Sequence, residues 1–147
     1  MEIRDGQGDG EVGSLGQTQA PVLDSSLPPP KADIAERTVA YALRVIRVCQ
    51  TLERTGTGRV LGRQLLRSGT SIGANVQEAQ GGQSRADFIA KLSIAHKEAR
   101  ESAYWLRLMA EAKLVPAAKL AALRDESDQL IRILASILLS SKGRVKN

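Results

Sequence analysis

Seven arginines are the residues of this chain most able to do chemistry. Arg37, Arg44, Arg47 and Arg54 fall within one arc of about 100° at the 3.6-residue period, and so form a stripe along a helix. Arg59, Arg63 and Arg67 follow at four-residue steps, the spacing that stacks side chains on one helical face. A guanidinium is a planar fork of donors that stays charged and suits two kinds of acceptor, phosphate and carboxylate. The first use is a surface that holds a phosphate backbone with little sequence preference and marked salt sensitivity. The second is pairing with Glu53, Glu98, Glu101 and Asp125 between helices or subunits.

No set of residues assembles into a catalytic or metal centre, and the chain is expected to be neither an enzyme nor a cofactor protein. His96 is the sole histidine, and metal sites need several ligands at fixed spacing. Its acidic neighbours Glu98 and Glu101 are two and five positions away, off the three- and four-residue steps that meet on a helix. It is read as an ordinary packed or surface histidine. The one cysteine, Cys49, lies on an apolar seam and is read as a buried structural thiol rather than a nucleophile. Gly81-Gly82 has no Lys-Ser/Thr partner and no strand before it, as a phosphate-binding loop would require. Asn75 and Glu78 share a helical face. They could meet a basic group at a subunit junction, but local hydrogen bonding for Asn75 and a local ion pair for Glu78 are the favoured reading. Tyr104 and Trp105 are adjacent and point in different directions, which fits packing in core and interface better than base stacking.

Composition sets the frame for these residues. Aromatics make up 3% of the 147 residues, apolar residues 42% and charged residues 25%. Leu, Ala and Ile carry the apolar load, a mixture that suits helices and suits sheets poorly. The length is that of one compact domain. A single cysteine excludes an internal disulfide and a cysteine-based zinc site; with an acidic, glycine-rich start in place of a signal peptide it points to the cytoplasm. No apolar run approaches the ~20 residues of a membrane span. Charge is segregated: residues 1–30 hold Arg4 against five acidic groups, a net of −4, so the rest carries +9 of the overall +5.

Residues 1–30 have no apolar period and end in Pro28-Pro29-Pro30, which reads as an acidic, disordered tail closed by a polyproline spacer. The bundle domain is expected over 31–141, with a short basic tail over 142–147. Helix 1 is expected from Asp33, its N-cap, to Leu52, with a seam through Ala35, Thr38, Ala42, Val45, Cys49 and Leu52. Gly56 and Gly58 read as breakers, with Thr57 a candidate cap for helix 2 over Arg59 to Ala79. Gly69 and Gly73 inside that helix let a neighbour approach or mark a kink. Ser84 with Asp87 three residues on is a capping-box variant, which starts helix 3 over Arg85 to Lys113. Its second apolar face (Ile94, Trp105, Leu108, Met109) exceeds one internal seam and suggests burial on two sides. Pro116 opens helix 4, to Ser140, with heptad spacing through Leu120, Leu123, Ser127, Leu130, Leu134 and Ile137. Short connections between long helices favour antiparallel neighbours, hence an all-α, up-down-up-down four-helix bundle.

Two runs carry a resemblance: Ser71-Ile72-Gly73-Ala74-Asn75-Val76-Gln77-Glu78-Ala79 followed by Ser84-Arg85-Ala86-Asp87-Phe88, and Ile94-Ala95-His96-Lys97-Glu98-Ala99-Arg100-Glu101 leading into Trp105-Leu106. They resemble the bacterial four helix bundle protein family, which includes the proteins encoded in intervening sequences of large-subunit ribosomal RNA genes. The resemblance spans about Asp33 to Ser140. It implies a homopentameric ring and a likeness to the accessory protein of diversity-generating retroelements, a basic barrel that works with a reverse transcriptase and nucleic acid. Together the readings make the chain a non-enzymatic, self-associating scaffold or adaptor. Its partner is RNA, DNA or a nucleic-acid enzyme, met through the basic helix faces. An assembly module that contacts only protein is the alternative.

Overall fold

A computed structural model describes residues 33–143; the expected tail over 1–30 and the last residues 144–147 lie outside the described residues. Four helices and no strand occur among the described residues: α1 (Ile34–Thr51), α2 (Gly56–Gln80), α3 (Arg85–Glu111) and α4 (Ala117–Gly143). The arrangement is that of a four-helix bundle. α2 packs broadly on both α1 and α3, α3 packs on α4, and the α1–α4 side is the least closed. None of these helices is long and apolar enough to cross a membrane.

The helix starts are set by side chains that accept from otherwise unpaired N–H groups. The Asp33 carboxylate accepts from the Ala35 N–H at 3.5 Å, and Ser84 Oγ accepts from that of Asp87 at 3.0 Å. The start of α2 departs from expectation. Thr55, not Thr57, is the cap, its Oγ1 accepting from the Gly58 N–H at 3.0 Å, and both expected breakers lie inside the helix. Sterics explain Gly58: a Cβ there would stand 2.5 Å from Thr55 Oγ1 and 2.8 Å from the Leu52 carbonyl oxygen. Glycine therefore serves the tight return of α2 onto α1 rather than a helix stop. α3 ends at Glu111, before the expected Lys113, which takes a left-handed φ of 57° as the chain reverses. α4 runs past Ser140, with Lys142 in its last turn where a cation suits the helix dipole.

Gly69 and Gly73 serve close approach, within an α2 that is continuous through both. A Cβ at Gly69 would meet the Val45 methyls at 2.9 Å, and one at Gly73 would meet Thr38 Oγ1 at 3.1 Å. Each glycine costs a helix about 1 kcal/mol relative to Ala, offset by the contact of α1 with α2.

The core holds one large residue that the seam on helix 1 omitted. Tyr41 is 1% exposed, while Ala42 and Cys49 of that seam are only half-buried. α1 faces α2 on one side and α4 on the other, so its buried arc is wider and centred away from a single-partner seam. Tyr41 brings a hydroxyl into the core, where it meets Ser127 Oγ at 2.6 Å. Ser102 Oγ lies 2.8 Å from Ser68 Oγ and 2.9 Å from the Glu98 carbonyl. Among the described residues no buried side-chain nitrogen or oxygen lacks a partner, so these hydroxyls carry no uncompensated desolvation.

Candidate polyanion-binding face

The fold separates the seven arginines into two groups. Arg37 turns toward α4: its Nε donates to Glu126 at 3.1 Å, and its Nη2 donates to Glu126 at 3.1 Å and to Gln129 Oε1 at 2.8 Å. Both charged side chains are about four-fifths buried, so this bidentate pair straps α1 to α4. Arg67 turns toward α3 and is held by Glu98, at 3.2 Å, and by Glu101. Glu101 also accepts from Trp105 Nε1 at 3.1 Å. The Arg67 guanidinium holds the Glu101 carboxyl below its usual range, and Glu101 in turn raises Arg67. Arg37 and Arg67 are thus paired with carboxylates of facing helices, Arg37 largely buried and Arg67 half-exposed.

Arg44, Arg47, Arg54, Arg59 and Arg63 remain, none with a carboxylate of the described residues within ion-pair distance. All five lie on the α1–α2 hairpin. Arg44 is half-buried and the other four are exposed. The acids expected to neutralise them act elsewhere. Asp125 accepts from Gln129 Nε2 at 2.7 Å, and Glu53 offers Arg59 only its backbone carbonyl, at 3.4 Å. Glu126, which does take an arginine, was not foreseen, because no helical spacing within one element reveals which acid a facing helix presents.

Arg59 and Arg63 rim a cavity of about 490 Å³ between α1 and α2, lined also by Cys49, Glu53, Gly62 and Leu66. The Cys49 thiol donates to the Gly62 carbonyl at 3.2 Å. Burial pushes its pKa up to about 11, so at neutral pH it is an uncharged part of the wall. Beside the arginines, Val39, Leu43 and Ile46 follow helical spacing on α1 and are 40%, 50% and 36% exposed. The hairpin thus presents cations next to an aliphatic stripe.

The remaining candidates sort as follows. Asn75 Nδ2 donates to the Ser71 carbonyl at 2.8 Å, and Glu78 pairs with Lys91 of α3 at 2.8 Å. The Asn75 bond is local, as in the favoured reading, whereas the Glu78 ion pair joins α2 to α3 within the chain. His96 is half-buried; burial and the nearby Arg100 charge lower its pKa. Among the described residues no three His, Cys, Asp or Glu side chains gather as a metal site would require. Trp105 packs against the core, whereas Tyr104 is 54% exposed in the chain by itself.

Comparison with known proteins bears on the whole bundle. A family model described as 23S rRNA-intervening sequence protein matches residues 31–136. The chain is also similar to a solved structure, a protein of unknown function from the S23 ribosomal protein family of Bacteroides thetaiotaomicron. That match has 38% identity and a TM-score of 0.69, and covers 72% of this chain and 98% of the other. No curated protein matches the chain.

Proposed function

The chain belongs to the 23S rRNA-intervening sequence protein family, and from that premise we propose a non-enzymatic, self-associating bundle that holds polynucleotide on its α1–α2 hairpin. The single observation that carries this reading is the set of five arginines there (Arg44, Arg47, Arg54, Arg59, Arg63) with no carboxylate partner among the described residues. Guanidiniums left unpaired by a fold that pairs their neighbours are available to phosphate. The protein acts as a scaffold or adaptor in the cytoplasm, and its partner is RNA, DNA or an enzyme working on them, such as a reverse transcriptase.

The bundle runs up-down-up-down. Contacts of Val45 with Gly69, Thr38 with Gly73, Ser68 with Ser102 and Glu78 with Lys91 support this sense, because residue numbers rise along one helix as they fall along its neighbour. Assembly into a homopentameric ring, implied by the resemblance, would bring five hairpins around one axis and sum their fields. The exposed aliphatic stripe on α1 favours a second reading, in which the hairpin meets only protein.

The test is binding of generic RNA and single-stranded DNA at low and moderate salt, with oligomeric mass measured in the same buffers. Binding that weakens steeply with salt, and is lost on Arg59→Glu/Arg63→Glu without loss of assembly, supports the polynucleotide scaffold. An intact oligomer that binds neither polymer at low salt leaves the protein-interaction module.

A further inference from the structure

A second cationic groove lies between α3 and α4, away from the arginines singled out by spacing. Arg100 and Tyr104 stand one turn apart on α3, with Arg107 beyond them; Arg124 and Asp128 stand one turn apart on α4. With Ala103 these residues line a cavity of about 310 Å³, the lower end of the range of small-molecule sites, about 300 to 1,000 Å³. Tyr104 is the exposed aromatic of the bundle, 54% accessible as a residue, its ring set edge-on to Trp105 at a centroid distance of 5.1 Å and 64°. Arg107 is drawn to Glu111, at 3.0 Å. Arg100 and Arg124 have no carboxylate within ion-pair distance among the described residues, and Asp128 no cation.

The groove therefore combines an exposed tyrosine, two guanidiniums and one carboxylate without ion-pair partners among the described residues. Stacking platforms bordered by cations hold the unpaired bases of single strands. A carboxylate among cations adds something that a phosphate-binding surface does not need, since it repels the backbone. It suits a base edge that offers donors. Adenine and cytosine present one exocyclic amino group each, whereas guanine presents two donors side by side, N1–H and the 2-amino group, which match the two oxygens of a carboxylate.

The geometry points to this groove as a pocket for an unpaired guanine of a polynucleotide strand. Tyr104 stacks on the base, Asp128 accepts from its two adjacent donors, and Arg100 and Arg124 meet the flanking phosphates. The inference rests on polynucleotide being the ligand, as proposed above, and adds a base preference that the hairpin arginines do not provide.

Trp105 is the only tryptophan and touches Tyr104, so its emission reports the stack directly. The experiment titrates the full chain at low salt with a short oligoadenylate carrying one guanosine, the same strand with inosine in that place, and plain oligoadenylate. The guanosine strand is expected to bind about tenfold tighter than oligoadenylate, the worth of a charge-assisted bidentate contact, and to change Trp105 emission. Inosine, which lacks the 2-amino group, should lose most of that gain. Asp128→Asn, an exposed substitution with no bond to break, should erase the preference for guanosine while leaving salt-dependent binding in place. Tyr104→Ala should weaken all strands. Equal affinity for the three strands with unchanged emission overturns the guanine pocket but leaves the polynucleotide scaffold standing. Absence of binding by any strand at low salt overturns both. A guanosine preference that survives Asp128→Asn also overturns the assignment.

Discussion

Arg63 and Arg67 stand one helical turn apart on α2, yet they belong to different regions. Arg67 sits at the α2–α3 seam, between Glu98 and Glu101. Arg63 lines the α1–α2 cavity with no acid in ion-pair reach among the described residues. The two side chains are chemically identical and were indistinguishable by spacing. What separates them is what the facing segment offers: α3 presents two glutamates to Arg67, whereas the cavity that Arg63 lines receives the neutral Cys49 thiol of α1 and Glu53, whose carboxylate stays out of ion-pair reach. A seam whose charges cancel holds the bundle together, and a face whose charges do not is free to act.

That contrast can be broken in several places. The largest effect belongs to Arg37, which acts like Arg67 but in a less exposed setting. Arg37→Ala removes the α1–α4 strap and strands Glu126 and Gln129, so denaturant unfolding should lose about 1.5–3 kcal/mol, with polynucleotide affinity unchanged. Arg59→Glu/Arg63→Glu should behave in the opposite way. Affinity for generic single strands at low salt falls at least tenfold, about 1.4 kcal/mol, while unfolding stability stays within about 0.5 kcal/mol of the parent. Arg67→Ala, on a half-exposed side chain, should cost no more than about 1 kcal/mol of stability and leave binding as it was.

The smallest effect is a pH dependence of that last difference. Glu101 has its carboxyl pKa depressed in the folded state by Arg67. Its contribution is therefore fully present above the ordinary carboxyl range and fades as pH falls through the depressed folded value. The stability gap between the parent and Arg67→Ala, measured by urea unfolding at a series of acidic pH values, should shrink toward zero. A gap that stays constant or grows on acidification would show that the seam does not depend on this pair.

Much of the fold was legible because local chemistry dictates it. Asp33 and Ser84 cap where a carboxylate and a hydroxyl precede helical periods, and the heptads through Leu92, Leu106, Leu120 and Leu134 are buried. The failures were steric or tertiary. Gly56 and Gly58 have the composition of a break, but it takes the folded positions of the Thr55 hydroxyl and the Leu52 carbonyl to reveal that a side chain at 58 would not fit. Tyr41 lay outside a seam drawn for one neighbour, and its burial depends on Ser127, 86 residues away. The proposed binding face was half legible. The arginine stripes were visible, but their division into spent and free members depends on Glu126, Glu98 and Glu101 arriving from other helices. The α3–α4 groove has helical spacing within each helix (Arg100, Tyr104 and Arg107; Arg124 and Asp128), but nothing in the sequence pairs the two sets across the bundle.

The most direct test is the salt dependence of single-stranded RNA binding by the parent, Arg59→Ala/Arg63→Ala and Arg67→Ala, with oligomeric mass followed in each buffer. The account predicts binding by the parent that falls steeply with salt, a shallower slope for the Arg59/Arg63 variant, and a slope for Arg67→Ala that overlays the parent. Identical slopes for all three proteins, or no binding by the intact oligomer at low salt, would contradict it.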